Sequence, residues 1–275
     1  MKSKILLTSA LLGFGMATIA QNASHTFAIT GNSANDFAWM NIRQVDLNSG
    51  VVTKTIFEKN KTAFTITNVE TKQVLDKSAV LNGNIYAPSV YPTATFVAAA
   101  AYDKRSNRLY YIPMRMNELR WVDLNEKGET VKFYNMQSPL LFAEKGADES
   151  RNVTRMVIAA DGNGYAITND GNHLYQFTTG KKPVITDLGT LIDAESNKGI
   201  SIHNKCTSWG GDMVADAFGK LYVITAGRNI FVVDIDTRIA TFKGQINNLP
   251  ANFTANGAAV NDNGDIVIIS ANVFT

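Results

Sequence analysis

Four residues carry the side-chain chemistry of a binding site: Arg155, Trp209, Asp212 and Asn256. The planar guanidinium of Arg155 suits a carboxylate or a phosphate, and the indole of Trp209 suits a flat ring or a cation. Gly210-Gly211, beside them, would let a ligand approach the main chain. The same residues also have a structural reading, in which Arg155 and Asp212 form an ion bridge and Trp209 is core.

Motifs for catalysis are missing. The sequence contains no His-Glu-x-x-His, no Gly-x-Ser-x-Gly and no second cysteine to pair with Cys206. Cys206 reads as a small buried hydrophobe, although His203 stands three residues away. The three histidines, His25, His173 and His203, lie in unlike contexts, so neither a metal nor a cofactor is expected. Asn261-Asp-Asn-Gly-Asp265 has calcium-loop composition, but its Gly comes one place early and no Glu closes it, so it reads as a turn. Gly162-Asn-Gly164 likewise reads as a hairpin turn.

The elements that must position the four residues form a repeat. Each unit has a strand ending in Asp, a Gly or Asn turn, an apolar strand, a polar turn and a third strand. Phe96–Asp103 leads to Arg108–Ile112 and Leu119–Asp123; Thr154–Asp161 leads to Gly164–Ile167 and His173–Phe177. Trp209–Asp216 leads to Lys220–Ile224 and Ile230–Asp234, and Ala255–Asp262 leads to Asp265–Ile269. The anchors Asp103, Asp161, Asp216 and Asp262 are 58, 55 and 46 residues apart. That period, with about four short strands per unit, predicts an all-β fold, a β-propeller of about five blades. A sixth blade could lie in residues 59–92, where Thr62–Thr67 alternates like a strand. A β-sandwich is the competing arrangement.

Alanine and glycine crowd the first strand of most units, as expected where blades converge on an axis. Phe27–Thr30, Trp39–Asp46 and Val51–Phe57 match second, third and fourth strands, so the N-terminal strands are expected to complete the last blade and close the ring. The connections between a fourth strand and the next first strand gather on one face. They are long, at roughly residues 58–93, 136–152, 188–208 and 244–253. Val97, Arg155, Gly210 and Asn256 each stand six residues before an anchor, which puts them at the channel mouth on that face. Pro139-Leu-Leu-Phe142 is an aliphatic patch in one of these loops, either tucked onto the blade or left for a partner.

The blades, with turns such as Asp216-Ala-Phe-Gly-Lys-Leu-Tyr222, resemble extracytoplasmic propellers of Bacteroidetes-type cell envelopes. That resemblance implies an exported protein and includes accessory subunits of outer-membrane export machinery. It also covers enzymes and small-molecule binders.

The N-terminus agrees with export. Basic Met1-Lys-Ser-Lys4 precedes an apolar run, Ile5–Ile19, and Thr18-Ile-Ala20 offers small residues for cleavage. Residues 1–20 therefore read as a signal peptide and 21–275 as the propeller, periplasmic or secreted, with no lipid-modified cysteine after the cut. No other apolar run is long enough to span a membrane. Of 26 Lys+Arg against 24 Asp+Glu, Lys2 and Lys4 belong to the leader, so the mature chain is neutral and nucleic acid is not an expected partner. The expected partner is a protein of the envelope, with a small molecule as the alternative.

Overall fold

The computed structural model describes residues 26–33, 39–74, 91–141, 149–203, 211–250, 253–261 and 263–272. Nineteen strands in this range form five sheets, with a single 3₁₀ turn at Glu195–Asn197. The first sheet is a meander of β1 (Thr26–Thr30), β2 (Asn41–Val45) and β3 (Val52–Phe57). The second contains β4 (Phe64–Asn68), β5 (Ala100–Asp103), β6 (Arg108–Tyr111), β7 (Glu118–Asp123) and β8 (Val131–Gln137). Its order is β4-β8-β7-β6-β5. The third is β9 (Val153–Ile158), β10 (Gly164–Thr168), β11 (Leu174–Phe177) and β12 (Ile185–Gly189). The fourth has β13 (Ile192–Asp193), β14 (Gly211–Ala215), β15 (Leu221–Thr225), β16 (Asn229–Val233) and β17 (Ile239–Gln245), ordered β13-β17-β16-β15-β14. β18 (Phe253–Val260) and β19 (Ile266–Asn272) pair as the fifth.

The first strands β5, β9, β14 and β18 lie side by side along an axis, and each sheet packs its face on the next. This is a β-propeller, with three complete blades between two shorter sheets. Apolar cores fill each interface between the first four sheets. Ile42, Phe57 and Phe133 belong to one, Tyr110, Trp121 and Phe177 to the next, and Ile167, Leu174 and Phe231 to the third. Aromatic pairs cross the interfaces, with Phe57 5.4 Å from Phe133 and Tyr110 5.6 Å from Phe177.

The anchor turns form as their residue types dictate. Asp161 Oδ1 accepts the Asn163 N–H at 2.9 Å, and Asp216 Oδ1 accepts those of Phe218 and Lys220 at 2.9 Å each. Such side-chain-to-backbone bonds mimic a turn and reverse the chain without help from elsewhere.

Two strand placements differ from the repeat pattern. Thr62–Thr67 does contribute a strand, β4, but it runs parallel to β8 as the outer edge of the second sheet instead of starting a sixth blade. β13 does the same beside β17 in the fourth sheet. In both cases a connection read as loop covers an edge that would otherwise expose unpaired backbone groups. In the first sheet, β1 brings Phe27 to 4.8 Å from Tyr102 of β5. Among the described residues no strand ladder joins β19 to the first sheet.

A buried ion pair ties the first two sheets together. Glu118 and Arg120 are two apart on β7, so they share a face, and both are almost wholly buried. Arg120 Nε donates to Glu118 Oε2 at 2.8 Å, and Asn135 Nδ2 donates to the same oxygen at 3.1 Å. Arg120 Nη1 also donates to the carbonyls of Tyr91 and Pro92, both at 2.8 Å, and the Tyr111 hydroxyl donates to Pro92 at 3.0 Å. From there Thr93 Oγ1 reaches the Met40 carbonyl at 2.7 Å, and the Val97 N–H reaches Trp39 at 3.2 Å. Residues 91–97 thus form a strap held by the second sheet and fastened to the first. Removing one member of such a pair leaves a buried charge, so Arg120→Ala should cost about 3–5 kcal/mol in urea unfolding. Loss under about 1 kcal/mol would show the pair to be marginal.

Candidate functional site

Arg155 sits on β9 and is 3% exposed. Its register partner is Ile167 on β10, which belongs to the core between the third and fourth sheets, so the side chain is directed toward β14. Nη1 donates to the Thr168 carbonyl at 3.4 Å. Burial pushes the guanidinium down to about 10, and the charges of Asp212 and Asp170 pull it back up. It remains a cation at neutral pH.

Asp212 is the second residue of β14. Its Oδ2 accepts the Ala258 N–H of β18 at 2.8 Å, and its Oδ1 accepts the Met213 N–H at 2.8 Å. The carboxylate therefore stitches the first strands of the fourth and fifth sheets together. Burial pushes it up to about 7, against the two N–H bonds and the positive charge of Arg155. Arg155 and Asp212 are thus brought within each other's field.

Asn256 is exposed at a bulge in β18, where the register slips between Ala255 and Gly257, and its Oδ1 accepts from Thr254 Oγ1 at 3.1 Å. The cause is a one-residue shift of the anchor. Asn261, one residue before the expected anchor, makes a turn in which its Oδ1 accepts the N–H groups of Asn263 at 3.0 Å and Asp265 at 2.8 Å. A one-residue slip turns a strand's side chains to the opposite face. Trp209, Gly210 and Cys206 lie outside the described residues. Gly211 has a structural reason to be glycine: its φ is +97°, and a Cβ would lie 2.2 Å from the Ile224 carbonyl oxygen. The close approach is made by β15 itself.

Of the histidines, His25 is outside the described residues. His173 Nδ1 lies 2.7 Å from Asp187 Oδ2, while the ring nitrogens of His203 lie 3.0 Å from the Asp170 carbonyl and 2.9 Å from that of Leu191. Among the described residues there is no cluster of three or more His, Cys, Asp or Glu placed to hold a metal, and no helix long and apolar enough to cross a membrane.

Sequence reading missed a cleft on the long-loop face, where the second and third sheets meet. It is partly open to solvent and has room for about one water molecule. Arg115 and Met116 reach it from the turn between β6 and β7, Leu141 from the loop after β8, Arg151 and Asn152 from the approach to β9, and Tyr175 from β11. The Arg115 guanidinium is 2.8 Å from Glu149. Of the aliphatic patch, Leu141 is buried in the cleft wall and Leu140 is 39% exposed at its rim, its carbonyl accepting the Tyr175 hydroxyl at 3.0 Å. Arg151-Asn152, immediately before a first strand, was the one local signal of this cleft.

No protein-family model and no curated protein matches the sequence. Solved structures similar to the chain include selenomethionine-substituted virginiamycin B lyase from Staphylococcus aureus, at 13% identity and a TM-score of 0.35. That match covers 65% of this chain and 56% of the lyase, little over half its length. A streptogramin B lyase matches at 12% identity, covering 89% of this chain and 90% of that one, with a TM-score of 0.40. The β-propeller domain of Myceliophteria thermophila Cps50 (Swd1) matches at 9% identity over 83% of this chain and 55% of that one, with a TM-score of 0.40. Likeness of this degree says nothing about activity.

The position of Asp212 makes its protonation a stability matter. Its carboxyl ionises near the ordinary 3.8 in the unfolded chain and at about 7 in the fold. Between these values the native state holds a proton that the unfolded chain has released. Asp212 therefore favours folding below pH ~4, and that contribution is lost as pH rises through about 7. Urea unfolding of the wild type and of Asp212→Asn should show the wild type gaining on the variant as pH falls from 7 to 4. A difference independent of pH would place the carboxyl in an ordinary solvated setting.

Proposed function

We propose that this protein is an exported, non-enzymatic propeller that binds a protein partner in the cell envelope through its long-loop face. The observation that carries the reading is an arrangement of exposed apolar side chains on ordered connections. The segments entering the second, third and fourth sheets each carry one: Phe96, 39% exposed, Leu140, 39%, and Ile200, 37%. Each segment is held by hydrogen bonds from the blades. Arg120 holds the carbonyls at 91 and 92; Tyr175 holds that of Leu140; and buried Asn197 donates to the Ala240 carbonyl at 2.9 Å. A surface ordered before binding loses little entropy on binding, which favours protein recognition.

In the fuller form of this reading, residues 1–20 are removed on export and residues 21–275 form about five blades in the periplasm or outside the cell. The N-terminal strands complete the last blade, and the partner belongs to outer-membrane export machinery. A second reading, an enzyme or small-molecule binder at the channel mouth around Arg155, Trp209, Asp212 and Asn256, has one observation in its favour: an acid titrating at about 7 beside a buried arginine.

Mature protein used as bait in envelope extracts should retain a stoichiometric partner. Leu140→Asp should lose it without a change in melting temperature. Recovery of no stable partner would sink the protein-binding reading. Protein recovered after export should begin at Gln21; an intact Met1 would remove the leader.

A further inference from the structure

We propose that the outer edge of the third blade, strand β12, accepts an extended segment of a partner protein as an added parallel strand, acidic at its leading end. The blades on either side provide the precedent. The fourth strand of the second blade, β8, is covered by β4, and β17 of the fourth blade is covered by β13, both in parallel. Among the described residues no strand pairs with the outer edge of β12. The fold shows twice what fits such an edge and leaves the blade between without it.

Backbone geometry makes β12 a template. The Thr178 N–H donates to the Val184 carbonyl at 3.0 Å, after which Phe177 faces Ile185 and Tyr175 faces Asp187. Bonded and open pairs alternate in an antiparallel ladder, so the N–H and C=O groups of Ile185 and Asp187 turn outward. The strand reads Ile-Thr-Asp-Leu-Gly and has neither the lysine nor the proline that blunts an edge. Arg238 closes only its far end, where Nη1 donates to the Leu188 carbonyl at 2.6 Å. Val184, at the near end, is 61% exposed.

Charge gives the added strand its chemistry. Lys181 and Lys182, both exposed, stand just before β12. Lys104 and Arg105 join them from the second blade, because Arg105 Nη2 donates to Thr179 Oγ1 at 3.4 Å and to the Gly162 carbonyl. The Gly180 N–H, donating to the Tyr110 hydroxyl at 3.1 Å, pins the lysine-bearing turn to the same blade. The acids nearby are engaged: Asp103 by Arg105 at 3.2 Å, Asp161 by the Tyr165 hydroxyl at 2.8 Å and Asp187 by His173 at 2.7 Å. Among the described residues the three lysines have no ion-pair partner. A strand parallel to β12 begins beside these cations, so its first residues are acidic and the next ones alternate as in β4, Phe64-Thr-Ile-Thr-Asn68. In this mode main-chain bonds supply affinity and side chains select the partner.

The probe is an acetylated, amidated peptide of two glutamates followed by the β4 sequence, titrated into the full mature chain and followed by NMR. The Ile185 and Asp187 amides should shift saturably. The same peptide with lysines in place of the glutamates should bind about tenfold more weakly. Lys181→Glu/Lys182→Glu, a double change at exposed positions, should reverse that preference. N-methylation of one alternate set of peptide amides should abolish binding and the other set should be tolerated, since only every second amide faces the edge. Leu140→Asp should bind the peptide unchanged, because the long-loop face takes no part.

No saturable shift, shifts confined to β3 or β19, equal binding of both peptides, or equal tolerance of the two methylated forms would overturn the proposal. Displacement of the acidic peptide by inorganic polyphosphate or anionic vesicles at lower charge concentration would overturn it too, marking the cations as a general anion site.

Discussion

Face-to-face contact between successive sheets is the constraint on which this molecule depends. A twisted sheet of four or five short strands buries little by itself, and stacking on its neighbours gives both faces a core. The stack is tightest at the innermost strands. There, Ala99 and Ala101 of the second unit are small and buried. Large aromatic residues fill the wider space further out, as at Trp121, 5.7 Å from Tyr134. Small residues inside and large ones outside follow from the wedge shape of the gap.

Polar groups caught in these interfaces act as fasteners. Arg120 and Glu118 secure the strap between the first and second sheets, and Asp212 joins β14 to β18 while facing the field of Arg155. Each is costly to desolvate, and each repays that cost only in one relative placement of its sheets. Asn152 is buried between the second and third sheets. It lies where two blades separate toward the long-loop face, which is also where the connecting segments present Phe96, Leu140 and Ile200. The geometry that closes the core on one side of the interface opens a cleft on the other.

Much of the architecture was legible because its causes are local. The Asp-anchored turns at 161 and 216 form from contacts within four residues, and the hairpins they join alternate as strands should. Arg155 and Asp212 each precede such a turn on a first strand, β9 and β14. Asn256 escaped because Asn261 and Asp262 are both competent turn formers, and nothing local says which one caps the hairpin. The Arg120 clamp had a visible trace, a charge pair at alternate positions of an otherwise apolar strand, but its partners at residues 91 and 92 are nearly thirty positions away.

The sequence by itself determined the strands, most of their turns and the antiparallel order within each blade, because those depend on residues a few positions apart. Only the tertiary structure decided that β4 and β13 seal outer edges and that β1 packs on β5. It also decided that Arg115, Arg151 and Asn152 meet in one cleft. A strand's side-chain pattern records which of its faces is buried, and it carries no record of which distant strand or loop does the burying.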